Sequence, residues 1–386
     1  MTQNSEIVMQ TKNKSILKAV FQFSLVFLLT LLTSPVLMAN PEESATQESS
    51  TTSHENTEKK FDAGALITEH ISDSHQWHLW GDHGHAVHVP LPVIIKTDKG
   101  WEFFSSSNVE HHEDIFQGKY YRYKLHDEHI EIVNENGELD KEASSKIVDL
   151  SITKNVLALF FSCALMLWMF LSIAKSYKAR PGMAPKGLQS FLEPIILFVR
   201  DDVAKVSIGK KYEKFMPYLL TVFFFILINN LLGLIPIIPG GTNLTGNIAV
   251  CAVLATITLL ITLVVGNKHY WQHVFAMPGV PLPVLIILTP IELIGVVLRP
   301  FVLMIRLFAN ITAGHIIALA FFSLIFIFGE LSTGAGFGVA VVSILFTVFM
   351  GILELLVAFL QAYVFTLLSA IYIGAAVEES HHEEHH

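Results

Sequence analysis

Charge is scarce in this chain. Only 15% of its 386 residues are Asp, Glu, Lys or Arg, while 52% are hydrophobic and the mean hydropathy is +0.51. An ordinary soluble domain carries roughly 25% charged residues, so this composition excludes a soluble globular protein. Cysteine is nearly absent. Cys163 and Cys251 each sit inside an apolar run, which excludes a disulfide framework and a thiolate metal site and fits buried small apolar residues. No glycine-rich loop suited to cradling phosphate is present. Nor is there a basic surface suited to nucleic acid, so neither nucleotide chemistry nor nucleic-acid binding is expected. Internal repeats are missing too.

The charge that is present is unevenly placed. From Asn40 to Leu150 there are 22 acidic and 9 basic side chains, a balance of −13. From Ser151 to His386 there are 11 acidic and 13 basic, a balance of +2. Two parts in different solvents are implied.

The first 39 residues read as a secretory signal. Lys12, Lys14 and Lys18 form a basic start, Ala19 to Leu32 an apolar core, and Pro35 and Ala39 a breaker and a small residue at a cleavage point. The core is shorter than the ~20 residues of a spanning helix. Residues 40–60, rich in Ser, Thr and Glu, are expected to be a flexible tether. Residues 61–150 alternate in short runs. Val87–Ile95, Trp101–Ser105, Tyr120–Leu125 and His129–Val133 read as strands, with turns at Thr97–Gly100 and Asn134–Gly137. The expected fold is therefore an all-α polytopic membrane protein preceded by a small β-rich exported module. His75, His78, His83, His85 and His88 are candidate zinc ligands, because imidazoles at short spacing can converge on a metal. A solvated His-rich loop is the plainer reading.

From residue 151 to 376 the chain is membrane-like. Asn155–Ala174, Phe215–Ile238 and Ile248–Val265 are candidate spans. Val280–Phe328 and Phe337–Ala376 are apolar runs of 49 and 40 residues, separated by the small-residue stretch Gly329–Gly336. Each long run is either two spans or one steeply tilted helix. Lys175 to Lys214 holds nine Lys/Arg, whereas Gly240–Asn247 holds no charge. The positive-inside rule makes the first loop cytoplasmic and the second exported. Within the basic loop, residues 188–206 have the spacing of an amphipathic surface helix, with Leu188, Phe191, Leu192, Ile195, Ile196, Val199, Val203 and Val206 on the apolar side. It fits the lipid surface, a partner protein, or both.

Five side chains stand out in the long runs: Glu292, Arg299, Arg306, His315 and Glu354. A charge in hydrocarbon costs at least ~2.5–3.5 kcal/mol, so such residues pair, face an aqueous cavity or carry transport. Glu292, Arg299 and Arg306 lie seven apart and return to within about 20° of one helical face. Asn310 extends that stripe. Glu354 and Gln361 are likewise seven apart. His315 lies nine beyond Arg306 and is expected to point away from whatever Arg306 faces. Arg holds its proton and acts as a fixed charge, whereas His and Glu can relay protons.

The run Arg299-Pro300-Phe301-Val302-Leu303-Met304-Ile305-Arg306-Leu307-Phe308-Ala309-Asn310-Ile311-Thr312-Ala313-Gly314-His315 resembles the signature helix of the F-type ATP synthase subunit a family. Leu360-Gln361-Ala362-Tyr363-Val364-Phe365 resembles that family's last helix, and Ile228 to Pro236 its third. The resemblance spans about residues 155–376. It implies two long tilted helices that wrap a ring of c subunits. It implies that Arg306 is the stator arginine, with Asn310 and Gln361 along the same interface. His315 and Glu354 would be a proton-relay pair in the half-channel open to the exported side. Enterobacterial members carry the acid and the imidazole in the opposite order, an exchange that preserves the pair. Glu292 would line the cytoplasmic exit path and Asn230 the channel. Arg299 has either a structural or a transport role. The implied partners are the c-ring, b-type peripheral stalk subunits, membrane lipid and the transported proton. No cofactor and no catalysis by the chain itself are implied. The implied location is a bacterial inner membrane, with the module periplasmic and residues 377–386 a cytoplasmic tail. A secondary metal transporter with a His-rich exported sensor is the competing reading, although the spans offer only one His. A third is a scaffold whose charges merely pair.

Overall fold

The computed structural model describes residues 72–80, 87–109, 115–126, 129–235, 241–275 and 280–378, together with Gly64, Ile67 and Met277. The expected signal, the tether, His83, His85 and residues 379–386 lie outside the described residues. So do the side chains of His78 and His88.

Short strands come first: β1 (Gln76–Trp80), β2 (Val87–Pro90), β3 (Pro92–Thr97), β4 (Gly100–Ser105), β5 (Phe116–Gln117), β6 (Arg122–His126), β7 (His129–Val133) and β8 (Val148–Asp149), with α1 (Lys141–Ser144) before β8. They form three antiparallel sheets, ordered β1-β2, β4-β3-β8 and β5-β6-β7. The run read as one strand over Val87–Ile95 is two, because Leu91 interrupts it between two prolines that lack ladder N–H groups. The hairpin turns at Asp98-Lys99, as the Thr97–Gly100 spacing predicts. Val93, Ile95, Val109, Tyr123, Leu125, Ile130 and Ile132 form the core between the second and third sheets. Glu102 is buried among them. Its carboxylate accepts from the Tyr123 hydroxyl (2.7 Å) and from the N–H groups of Lys119 (2.8 Å) and Tyr120 (2.9 Å). A buried acid is tolerable only when bonded in this way.

Helices follow: α2 (Lys154–Ala179), α3 (Leu188–Phe198), a π-turn (Val199–Ala204), α4 (Lys205–Ile208), α5 (Tyr212–Gly233), α6 (Ile248–Val265), α7 (Lys268–Phe275), α8 (Leu282–Leu331) and α9 (Thr333–Val377). α2, α5, α6, α8 and α9 contain stretches long and apolar enough to cross a membrane. α5 is the hub, with Phe215 to Asn230 almost wholly buried. Its partners cover it, so its apolarity runs all round rather than along one face. Threonines in this core satisfy their hydroxyls on the preceding turn: Thr221 on Pro217 O, Thr262 on Thr258 O and Thr366 on Ala362 O.

The long runs are two continuous helices of 50 and 45 residues. At 1.5 Å per residue α8 is about 75 Å long, against a hydrocarbon core of about 30 Å. An upright crossing by α8 would use less than half of that length. Pro290 and Pro300 remain inside it without ending it. The break between the helices is at Ser332, not across the whole Gly329–Gly336 stretch. Glycines there pack instead of turning: a Cβ on Gly336 would meet Gly329 Cα at 2.8 Å.

The surface helix also differs from its expected form. The π-turn adds a residue to one turn and splits the apolar side. Leu192, Val199 and Val203 face the core, whereas Phe191 and Val206 are exposed.

Candidate functional site: a buried acid–imidazole pair and an exposed arginine

α8 and α9 run antiparallel and are held in register by small and aromatic contacts. Phe321 stacks on Phe346 with ring centroids 5.1 Å apart, beyond the Gly329–Gly336 approach. That register sets His315 opposite Glu354. The imidazole Nε2 lies 3.9 Å from the carboxylate Oε1, and both side chains are about nine-tenths buried. This separation is longer than a formed hydrogen bond and is closed by a small side-chain movement. Glu354 Oε1 has no hydrogen-bond partner among the described residues. A bare, buried carboxylate without a hydrogen-bond partner is costly there.

Two glycines shape the site. A Cβ on Gly314 would sit 2.7 Å from Glu354 Oε1. A Cβ on Gly233, at the end of α5, would sit 3.1 Å from Thr242 O and 3.6 Å from His315 Nε2. The uncharged loop 241–247 closes over the pair with Thr242, Asn243 and Thr245, all buried. Both polar atoms of the Asn243 side chain lack hydrogen-bond partners among the described residues. Asn230 joins this cluster. It donates to Ala358 O (3.3 Å) on α9 and accepts from the Thr245 hydroxyl (2.6 Å). It thus ties α5, α9 and the loop together. Gly233, Gly314, Asn243 and Thr245 are absent from the residues singled out in the sequence. The density of polar residues in Thr242–Asn247 was the available signal.

Arg306 lies on the other side of α8. Leu303, Leu307 and Ile311 anchor that helix inward, which leaves Arg306 and Asn310 exposed. Arg306 makes no ion pair and no hydrogen bond among the described residues. Gln361, unlike Arg306, is buried; it shares the buried face of α9 with Glu354 and Ala358. Arg299 and Glu292 behave differently from Arg306. Nη2 of Arg299 is 2.9 Å from Oε1 of Glu292, both are partly buried, and the guanidinium lies 5.9 Å from the centroid of the Tyr372 ring. One stripe therefore carries a neutralised pair and, one heptad on, a bare cation.

Among the described residues no three His, Cys, Asp or Glu side chains are placed to hold a metal. His75 is buried, and its Nε2 is 3.0 Å from Asp149 Oδ2. Burial alone would raise the Asp149 carboxyl, but the hydrogen bond and charge of His75, with bonds from Ser151, outweigh it and hold the carboxyl below its ordinary value.

Fold and site together define a polytopic α-helical membrane protein that keeps ionisable groups along its two longest helices. Residues 156–374 match the family described as ATP synthase A chain, and residues 66–150 match a domain of unknown function (DUF8433). The ATP synthase subunit a of Chloroherpeton thalassium is 43% identical over 243 residues, covering 62% of this chain and 70% of that protein. That of Pelodictyon phaeoclathratiforme is 48% identical over 246 residues, covering 62% and 69%. That of an Anaeromyxobacter species is 35% identical over 273 residues, covering 67% and 64%. The chain belongs to the family of F-type ATP synthase subunit a, a membrane-sector subunit of that complex.

Proposed function

We propose that this chain is the stator subunit that couples proton flow to rotation of a c-ring. The observation that carries the reading is Arg306. It is a permanently charged side chain, without an ion pair among the described residues, on the exposed face of a 50-residue apolar helix, where the cost of a charge in hydrocarbon calls for an opposite charge from outside the chain.

In this reading a proton enters from the exported side, under the loop 241–247. It passes between Glu354 and His315, past Asn230 and Asn310, and neutralises a carboxylate of the c-ring. The ring turns. When that carboxylate meets Arg306, the fixed charge favours its ionised form, and the proton leaves toward Glu292. Arg306 also bars a direct path between the two half-channels, because a proton would have to pass a like charge. Gln361 works from the buried side of α9, holding the helix that carries Glu354. Arg299 neutralises Glu292 at rest. No ATP chemistry occurs on this chain.

Residues 1–39 serve as a signal peptide and 40–60 link it to the module. Residues 61–150 form a periplasmic module, 151–376 the membrane domain in a bacterial inner membrane, and 377–386 a cytoplasmic tail. The nine basic residues of Lys175–Lys214 support that orientation. The b-type stalk subunits hold the chain against the torque of the ring.

The test is Arg306→Ala in inverted membrane vesicles. Proton-driven ATP synthesis is expected to vanish while the complex still assembles. Full synthesis by the variant overturns the reading.

A further inference from the structure

The strand register divides the β4-β3-β8 sheet into two faces. Ile95 pairs with Glu102 and Asp149; Lys96 pairs with Trp101 and Val148; Ile94 pairs with Phe103. Side chains alternate along a strand, so Val93, Ile95, Glu102 and Phe104 face the core. Ile94, Lys96, Trp101, Phe103, Val148 and Leu150 face outward. A sheet with one wet face ordinarily presents polar residues there. This one presents Trp101 at 48% exposure, Phe103 at 69%, Val148 at 45% and Leu150 at 40%. A contiguous apolar face of this kind marks a contact surface.

Its position says which surface. The β3–β8 ladder continues through Leu150 N–H to Ile94 O (2.9 Å) and Ile152 N–H to Pro92 O (3.1 Å), up to the start of α2. There the Asp73 carboxylate accepts from the Thr153 hydroxyl (3.0 Å) and from Asn155 N–H (3.2 Å), and Lys154 N–H donates to Ser74 O. No free linker separates sheet from span. Leu150, on the outer face, is four residues from the first residue of α2, a reach of at most about 14 Å. The headgroup layer itself is roughly 5–8 Å deep on each side of the hydrocarbon. α2 then continues with exposed Phe160, Phe161 and Trp168.

Composition agrees. The outer face holds no acid, although Asn40–Leu150 carries a balance of −13. Its one charge is Lys96, with the ammonium 5.8 Å from the Trp101 ring centroid. Tryptophan, phenylalanine and a lysine whose stem lies along them form the pattern of the membrane–water interface.

We infer that the outer face of the β4-β3-β8 sheet docks on the lipid bilayer surface beside α2, with Phe103 and Trp101 seated among the headgroups. The contact fixes the module against the membrane and, through β8, braces the N-terminal end of α2.

The test places a fluorophore at Phe103→Cys and, separately, at Val148→Cys. Both sites are exposed, and the natural cysteines Cys163 and Cys251 are buried. Glu138→Cys, exposed elsewhere on the module, is the control. The full chain in its assembled complex is reconstituted in vesicles of phosphatidylethanolamine and phosphatidylglycerol, with quenchers carried either by a doxyl lipid or as aqueous iodide. The expected result is loss of emission to the lipid-borne quencher at positions 103 and 148, with iodide quenching only at 138. Iodide quenching at 103 and 148 overturns the inference. Protection from both quenchers also overturns it and assigns the face to a protein contact. The assay reads position and not proton flux, so it stands or fails apart from the stator reading.

Discussion

The carboxyl of Glu354 rests against the backbone of Gly314, with Oε1 2.7 Å from the point a Cβ would occupy. Only glycine lets α9 bring this acid so close to α8 and to His315. Gly314→Ala must push the carboxyl aside. Overpacking of this kind costs about 1–3 kcal/mol, and if it falls on the proton-transfer geometry the rate drops by about tenfold or more. The expected outcome is a normally assembled complex with slowed ATP-driven proton pumping, and a pH–rate profile that changes shape. Wild-type rates across the pH series would show that the Glu354–His315 separation does not matter.

Arg306 differs from Arg299 in having no ion pair among the described residues. Its value lies in a delocalised, planar charge that never loses its proton, which an ammonium reproduces poorly. Arg306→Lys is therefore expected to assemble yet to lose most proton-driven synthesis, close to Arg306→Ala. ATP synthesis in inverted vesicles, scored against the amount of assembled complex, checks it. Near-normal synthesis by the lysine variant would mean that any positive charge suffices.

The long helices and the charged stripe were legible in the sequence because apolar runs of 49 and 40 residues and a heptad spacing survive any packing. The break between the helices was not. Gly329–Gly336 reads as the stretch that separates the two runs, but in a helical hairpin small residues serve close backbone approach, and only Ser332 leaves the helix. Spacing placed Glu292, Arg299 and Arg306 on one face without showing that the first two neutralise each other. The π-turn at Val199–Ala204 and the folding of Thr242, Asn243 and Thr245 over His315 depend on contacts between distant segments, which one chain read along its length does not display.

The Glu292–Arg299 pair separates a structural role from a transport role. Removing one member leaves a partly buried charge alone. The cost is below the 3–5 kcal/mol of a fully buried pair, because both side chains retain some solvent contact. Arg299→Met is expected to lower the melting temperature of the detergent-solubilised complex. Adding Glu292→Gln should restore much of the loss, since no charge is then stranded. If the restored double variant also pumps protons, the pair is structural. A stable double variant that cannot pump assigns Glu292 to the proton path.

At the junction of module and span, two acids respond to pH with opposite signs. Asp149 is held below its ordinary value: burial opposes, but His75 and Ser151 prevail. It therefore contributes stability above the unfolded carboxyl pKa of about 3.9, and that contribution is lost as pH falls through the lower, folded value. Asp73 is raised, chiefly by burial, against the bonds from Asn155 and Thr153. Its contribution is complete below about pH 3.9 and is lost as pH rises through the higher, folded value. Asp149→Asn should weaken the module at neutral pH and remove part of its acid sensitivity. Asp73→Asn keeps an acceptor for Asn155 N–H and no longer buries a charge, so its stability relative to wild type should improve as pH rises. Amide hydrogen exchange in β3 and β8 of the assembled protein, followed from about pH 2 to pH 8, reads both signs: the acid end reports Asp149 and the rise above pH 4 reports Asp73. Identical pH slopes for the two variants would mean that neither carboxylate governs the junction.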